Sequence, residues 1–447
     1  MSALSFPPLT KKLAVIPNES ADRRRNEESS KTKKMIKKTC MKEMWGKQER
    51  GYFEKEITNF IDYKNKYLEL NNTKQNISKR LFLKKCLTLS AGIVCFPRRS
   101  YIMGSGLGGD NILRKIAMYQ EETPRGIMCR ICPNECVLKE GEISKCNNRK
   151  VDGSKLWTMA YGNPCTVNID PVEKKPLYHF FPGSRAWSIA TAGCNLACLN
   201  CQNWSISQIS PDKTRNFDQM PEKVVDGASK SSCRSIAYTY TEPVTFYEYT
   251  YDTAVLARRA GIKNIVKSNG YINPEPLKKL CSVIDAANID LKTFNDSTYL
   301  RMTGGKLQPV LDSLKIYRDM GVWLEITNLV VPQWSDNSDE IGRMCKWLSE
   351  NGFNDTPLHF SRFYPTYKLE QLPPTPAEVL KNAVKMASAE GLKYVYTGNV
   401  PGDEISDTKC PSCGNLVITR QGFTVTANNI RDGKCNKCGH EIRGVWN

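Results

Sequence analysis

Thr191-Ala192-Gly193-Cys194-Asn195-Leu196-Ala197-Cys198-Leu199-Asn200-Cys201-Gln202-Asn203-Trp204 places three cysteines at the spacing C-x3-C-x2-C. Thiolates are the ligands of iron–sulfur clusters, and a cubane closed entirely by protein takes four of them. Three leave one iron open to an outside ligand. That arrangement lets a [4Fe-4S] cluster bind and reductively split S-adenosylmethionine rather than only store an electron. The competing interpretation is a partial zinc site, or three thiols packed as small hydrophobes. Zinc sites usually pair C-x2-C with a distant second pair, whereas here three cysteines fall within eight residues, behind the apolar, strand-like Trp187–Ala190.

Working outward, short apolar stretches alternate with helical patterns from about residue 185 to 400. The expected strands are Trp187–Ala190, Ser235–Tyr240, Asn264–Lys267, Ala287–Leu291, Val322–Val331, Leu358–Phe363 and Lys393–Tyr396. Helical periodicity covers Pro243–Ala260, Pro274–Ile284, Leu307–Met320, Asp339–Asn351 and Pro376–Glu390. Such alternation predicts an α/β fold of right-handed, parallel βαβ units, with functional side chains at the carboxyl ends of the strands. Periodicity alone does not separate a barrel from a doubly wound sheet.

The block Asp170–Ser184, Asp-Pro-Val-Glu-Lys-Lys-Pro-Leu-Tyr-His-Phe-Phe-Pro-Gly-Ser, and its continuation through the cysteine motif to Gln208 closely resemble the AmmeMemoRadiSam-system radical SAM enzymes. Those are similar in turn to the activating enzymes of glycyl-radical proteins such as pyruvate formate-lyase. The likeness runs from about Met128 to about Gly402. It implies a partial (β/α)6 TIM-like barrel, a [4Fe-4S] cluster on Cys194, Cys198 and Cys201, S-adenosylmethionine as cosubstrate, and an electron donor such as flavodoxin or ferredoxin. Radical SAM proteins commonly carry an aromatic residue just before the third cysteine, for contact with adenine; here that position is Asn200.

Polar residues follow several expected strands. Thr241 and Glu242 stand where the resemblance implies a segment receiving the amino group of S-adenosylmethionine, and a carboxylate with carbonyl oxygens suits an ammonium. The same residues also read as a helix start, with Thr241 capping, Glu242 complementing the dipole and Pro243 in the first turn. Ser268 and Asn269, before Gly270, fit ribose or carboxylate contact, or a plain turn. Asp290 and Lys292 share one side of a strand if Leu291 packs outward. They resemble the Asp-x-Lys of the activases, which implies contact between Lys292 and the cosubstrate, against the alternative of a strand-end ion pair. Arg362 could clamp a carboxylate or serve the structure. His179, His359 and His440 carry no assigned chemistry.

Two further cysteine groups have metal-ligand spacing. Cys410-x2-Cys413 and Cys435-x2-Cys438 predict a closed four-thiolate site in a zinc-ribbon-like module, with zinc as the structural metal and a rubredoxin-like iron as rival. Cys129, Cys132, Cys136 and Cys146 form an N-terminal Cys-rich module able to hold zinc or an auxiliary iron–sulfur cluster.

Of 18 cysteines, 11 fall in these three groups, which speaks for a reduced, metal-loaded protein rather than a disulfide scaffold. The chain has 447 residues and a formal charge of +18. Residues 1–100 hold 23 Lys and Arg against 10 Asp and Glu, so the basicity belongs mainly to the extension. The expected organisation is a basic, disordered extension (1–77), a segment resembling a twin-arginine export signal with its linker (78–110), the N-terminal Cys-rich module (111–185), the barrel (186–402) and the zinc-ribbon-like module (403–447). No apolar run reaches the length of a membrane span. A cytoplasmic location is expected, with twin-arginine export as the alternative.

Together these features predict a radical SAM enzyme forming a 5′-deoxyadenosyl radical that abstracts hydrogen from a small-molecule or protein substrate. The alternatives are a glycyl-radical activase, and a non-catalytic metal scaffold whose basic tail binds nucleic acid; a nucleic-acid partner is not the favoured expectation.

Overall fold

The computed structural model describes residues 113–400 and 406–446. The expected basic extension and the twin-arginine-like segment lie outside the described residues. Eight strands form the main sheet: β1 (Thr166–Pro171), β2 (Arg185–Ala190), β3 (Ser235–Tyr238), β4 (Lys263–Ser268), β5 (Ala286–Asp290), β6 (Trp323–Val330), β7 (Leu358–Arg362) and β8 (Val395–Gly398). They lie side by side in chain order; β2 to β8 are parallel, and β1 pairs antiparallel with β2. The crossovers carry α1 (Pro221–Lys230), α2 (Tyr247–Arg259), α3 (Pro274–Cys281), α4 (Asp296–Thr303), α5 (Gln308–Asp319), α6 (Ser338–Glu350) and α7 (Ala377–Ala389). Six β/α units thus run from β2 to α7, and β8 adds a seventh parallel strand.

The reason lies in the side-chain pattern. Helices cover the sheet, so its strands read as continuous buried runs, as in β3, where Ser235, Ile236, Ala237 and Tyr238 are all buried. Helix α6 answers with Ile341, Met344, Cys345 and Leu348 at positions i, i+3, i+4 and i+7. Asn337 starts that helix by accepting the Glu340 N–H at 3.0 Å. The seven expected strands are present. Strand β1 is not among them, because only Asp170 on it is buried and the strand lacks an apolar run. Helix α4 is also an addition, started by Asn295, which accepts the Thr298 N–H at 2.9 Å, and closed by Gly304 at φ 75°.

Residues 113–165 form two small three-stranded antiparallel sheets beside the main one. They are fastened by Arg149, whose guanidinium meets Glu248 of α2 in two parallel bonds of 3.0 Å, both side chains being almost wholly buried. Residues 406–446 form short antiparallel strands, chiefly the hairpin Leu416–Gln421 and Thr424–Asn428. This unit docks on β8, where the Tyr396 hydroxyl lies 3.0 Å from that of Thr408, and on the β1–β2 loop, where Arg420 donates to the Tyr178 carbonyl at 2.8 Å and Phe181 and Val445 pair through their backbones. Among the described residues no helix is long and apolar enough to cross a membrane.

Removing one member of the Arg149–Glu248 pair leaves the other charge buried without compensation. Arg149→Met is expected to lower unfolding free energy by about 3 kcal/mol or more, with Arg149→Met/Glu248→Met recovering most of it. Denaturant unfolding of the three proteins checks this.

Candidate functional site

The loop after β2 brings the three cysteines to the carboxyl edge of the sheet. Gly193 (φ 92°) makes the bend, and a Cβ there would stand 2.4 Å from the Cys146 carbonyl oxygen and 2.6 Å from Asn148 Oδ1, so no side chain fits. Beyond it, the Ala197 and Leu199 N–H groups donate to Thr303 and Met302 at 2.8 and 2.9 Å, which ties the loop to the end of α4. Cys194, Cys198 and Cys201 open on one cavity of about 1120 Å³, which residues from the ends of β3 to β8 also line. Seven strand ends gather around one chamber, in keeping with the barrel that the family resemblance implies.

Asn200, Thr241, Glu242, Ser268, Asn269, Asp290 and Lys292 reach this chamber, whereas Arg362 is not part of its lining. Glu242 is buried; its Oε1 accepts the Ser268 hydroxyl at 2.7 Å and the Val244 N–H at 3.1 Å, and its Oε2 accepts the Asn269 N–H at 2.8 Å. Burial pushes its carboxyl up to about 7, against those hydrogen bonds. The helix cap is therefore Glu242, not Thr241, whose hydroxyl donates to the Thr191 carbonyl at 2.7 Å. Asn269 Nδ2 lies 2.8 Å from Asn195 Oδ1 and 3.8 Å from Cys194 Sγ. Asn200 is buried, and its Oδ1 has no protein partner.

Asp290 and Lys292 pair at 3.1 Å while Leu291 between them is buried, as strand alternation requires. Burial alone would raise the Asp290 carboxyl, but Lys267 and Lys292 hold it down to about 2. Lys267 was not among the expected site residues. It bonds Asp290 and, at 2.7 Å, Asn288, and its signal in the sequence is a lysine set inside the apolar run of β4.

The chamber holds more that motif reasoning missed. Asp170 accepts hydrogen bonds from Lys175 at 2.6 Å, from Lys174 at 2.9 Å and from the Tyr240 hydroxyl, so the Asp170–Ser184 block fixes the residue before Thr241. Arg420, Gln421, Gly422 and Phe423 of the C-terminal hairpin form part of the wall. His359 also lines it, donating from Nε2 to the wholly buried Glu325 at 2.7 Å; Glu325 accepts in addition the Tyr178 and His179 N–H groups at 2.9 and 2.8 Å. Arg362 donates from Nε to the Thr375 carbonyl at 2.7 Å and acts as a structural group.

The two outer cysteine groups differ in shape. Cys410 and Cys438 stand 3.6 Å apart, Cys413 and Cys435 3.8 Å, and all four sulfurs lie within 4.8 Å of one another. Four thiolates at about 2.3 Å around one tetrahedral ion would be about 3.8 Å apart, so this quartet has the geometry of a single-ion site. Cys129, Cys132, Cys136 and Cys146 instead surround a small void of about 20 Å³, together with Arg149 and Asn195.

Residues 188–348 match the family model of the Radical SAM superfamily. The chain is 44% identical over 332 residues to the uncharacterized protein MJ0808 of Methanocaldococcus jannaschii, covering 74% of this chain and 99% of that one. It is 22% identical over 218 residues to the pyruvate formate-lyase 1-activating enzyme of Escherichia coli K12, covering 46% and 89%. Among solved structures, a radical SAM methyltransferase from Sphaerobacter thermophilus aligns with a TM-score of 0.40 and 12% identity, over 53% of this chain and 71% of that one. The chain belongs to the radical SAM superfamily and is related to the pyruvate formate-lyase-activating enzymes. Membership implies a [4Fe-4S] cluster and S-adenosylmethionine. The three thiols fit that cofactor: they open on a chamber larger than the 300–1,000 Å³ of ordinary ligand sites and, unlike the C-terminal quartet, are not drawn together as for a single ion.

Burial opposes ionisation of Asp170, yet its bonds to Lys175, Tyr240 and Lys174 hold it below the usual carboxylate range. Its share of stability is complete above about pH 4 and is lost as pH falls from there toward the folded value. Asp170→Asn is expected to reduce stability at neutral pH, since Lys175 is left buried, and to remove this part of the acid dependence. Unfolding free energy measured from pH 7 to pH 3 tests both.

Proposed function

We propose that Cys194, Cys198 and Cys201 hold a [4Fe-4S] cluster, and that this protein uses it to cleave S-adenosylmethionine and abstract hydrogen from a polar substrate. The observation carrying this reading is that three thiols and a buried set of ammonium- and carboxylate-binding groups open on one chamber. When bound, the reduced cluster supplies the electron that splits the sulfonium into methionine and the 5′-deoxyadenosyl radical. The chain's own residues bind and orient. Glu242 and the carbonyls beside Thr241 receive the cosubstrate's ammonium, and Lys292, braced by Asp290, meets its carboxylate. Ser268 and Asn269 face the ribose. Asn200 offers its unpartnered Oδ1 to the adenine amino group, a polar replacement for a stacking contact. A one-electron protein donor of the flavodoxin or ferredoxin class supplies the reductant.

The C-terminal quartet serves in this reading as a structural zinc site in a ribbon-like module of residues 403–447, beside a barrel of residues 186–402 and a Cys-rich N-terminal module of residues 111–185. A glycyl-radical activase is the second reading, favoured by the likeness to the activating enzymes. An electron paramagnetic resonance search for a glycyl doublet in an incubated partner distinguishes it.

After anaerobic reconstitution and dithionite reduction, Cys198→Ala is expected to form no 5′-deoxyadenosine; turnover at the parent rate overturns the ligand assignment. Glu242→Gln, equal in shape but uncharged, is expected to weaken S-adenosylmethionine binding by about tenfold, read by equilibrium dialysis, since a charge-assisted bond is lost. Metal analysis of the purified protein is expected to give one zinc that is lost in Cys410→Ser/Cys413→Ser.

A further inference from the structure

The N-terminal cysteine quartet lies directly behind the three-cysteine loop. The backbone of Cys146 touches Gly193, the residue before Cys194, with no room for even a methyl group between them. Asn195, the residue after Cys194, lines the void that Cys129, Cys132, Cys136 and Cys146 enclose. Its backbone carbonyl accepts Asn134 Nδ2 at 2.8 Å from that side, and its own side chain meets Asn269, which reaches the Cys194 sulfur, on the other. One layer of residues therefore separates the two thiol sets. Cys132 and Cys136 are half-buried while Cys129 and Cys146 are buried, so the quartet spans from near the surface to the back of the loop.

Its spacing speaks about the metal. Around a single ion four thiolates crowd together, as the C-terminal quartet does. Around a cubane each thiolate sits on a different iron, so the sulfurs stand apart around a central volume. Among the described residues the C-terminal quartet alone brings three or more ligating atoms within 4.8 Å of one another, while the N-terminal four enclose a void.

We propose that Cys129, Cys132, Cys136 and Cys146 hold a second, fully protein-ligated [4Fe-4S] cluster that serves as the port through which electrons reach the three-cysteine site. The relay function rests on the proposed radical SAM reading; the cluster itself does not. One electron leaves a low-potential flavodoxin or ferredoxin, resides at the N-terminal site and passes across the Cys146–Gly193 contact. The donor is oxidised by one electron, the three-cysteine site is reduced by one, and no bond or proton changes place.

Two measurements test this. The variant Cys194→Ala/Cys198→Ala/Cys201→Ala, reconstituted anaerobically with iron and sulfide, is expected to retain about four irons and four sulfides with a reduced-cluster paramagnetic signal; zinc without iron at this site overturns the proposal. In the otherwise intact protein, Cys132→Ala/Cys136→Ala is expected to slow 5′-deoxyadenosine formation about tenfold or more with reduced flavodoxin as donor, and to leave it within about twofold with dithionite. Equal slowing with both donors, or with neither, overturns the relay. If dithionite drives no cleavage in the parent, the radical SAM reading fails instead, and the iron content of the triple variant still decides the cluster.

Discussion

The steric limit at Gly193 governs this molecule. The chain leaves β2 in a left-handed bend and passes against Cys146 and Asn148 at a distance that excludes any side chain. The N-terminal sheets and the cysteine loop are thereby held against one another, and the Arg149–Glu248 pair fastens the same sheets to α2. Displacing the bend by a methyl group would move Cys194 relative to the strand ends, and the chamber's chemistry depends on that alignment.

Most of the charge in and behind the chamber wall is arranged in closed sets. Asp290 sits between two lysines, Asp170 takes two lysines and a tyrosine, and Glu325 is satisfied by His359 and two backbone N–H groups. Buried ions persist when they are paired and hydrogen-bonded. Glu242 and Glu173 stand apart, since each has hydrogen-bond donors but no cation in its set, and at Glu242 a cationic guest would complete it.

Much of this was legible in the chain. Short apolar runs between segments of period 3.6 located all seven parallel strands, since a covered parallel sheet must be apolar on both faces. Cysteine spacing located three thiol groups, and strand alternation put Asp290 and Lys292 on one side. The parts that escaped depend on distant contacts. Strand β1 is an edge strand without an apolar run; Lys267 becomes a chamber residue only once β4 and β5 are side by side; and Arg420 to Phe423 lie between the two cysteine pairs, whose spacing gives no hint of the barrel. The helix cap is Glu242 rather than Thr241 because the helix begins at Pro243 and the Thr241 hydroxyl is taken by the Thr191 carbonyl, a contact from a distant strand end.

The C-terminal hairpin contributes to the chamber wall although it lies far along the chain from the cysteine loop. During synthesis the strands of the main sheet, the N-terminal cysteine group and the three-cysteine loop leave the ribosome before residues 406–446. The residues that close this side of the chamber are therefore the last of its lining to be synthesised.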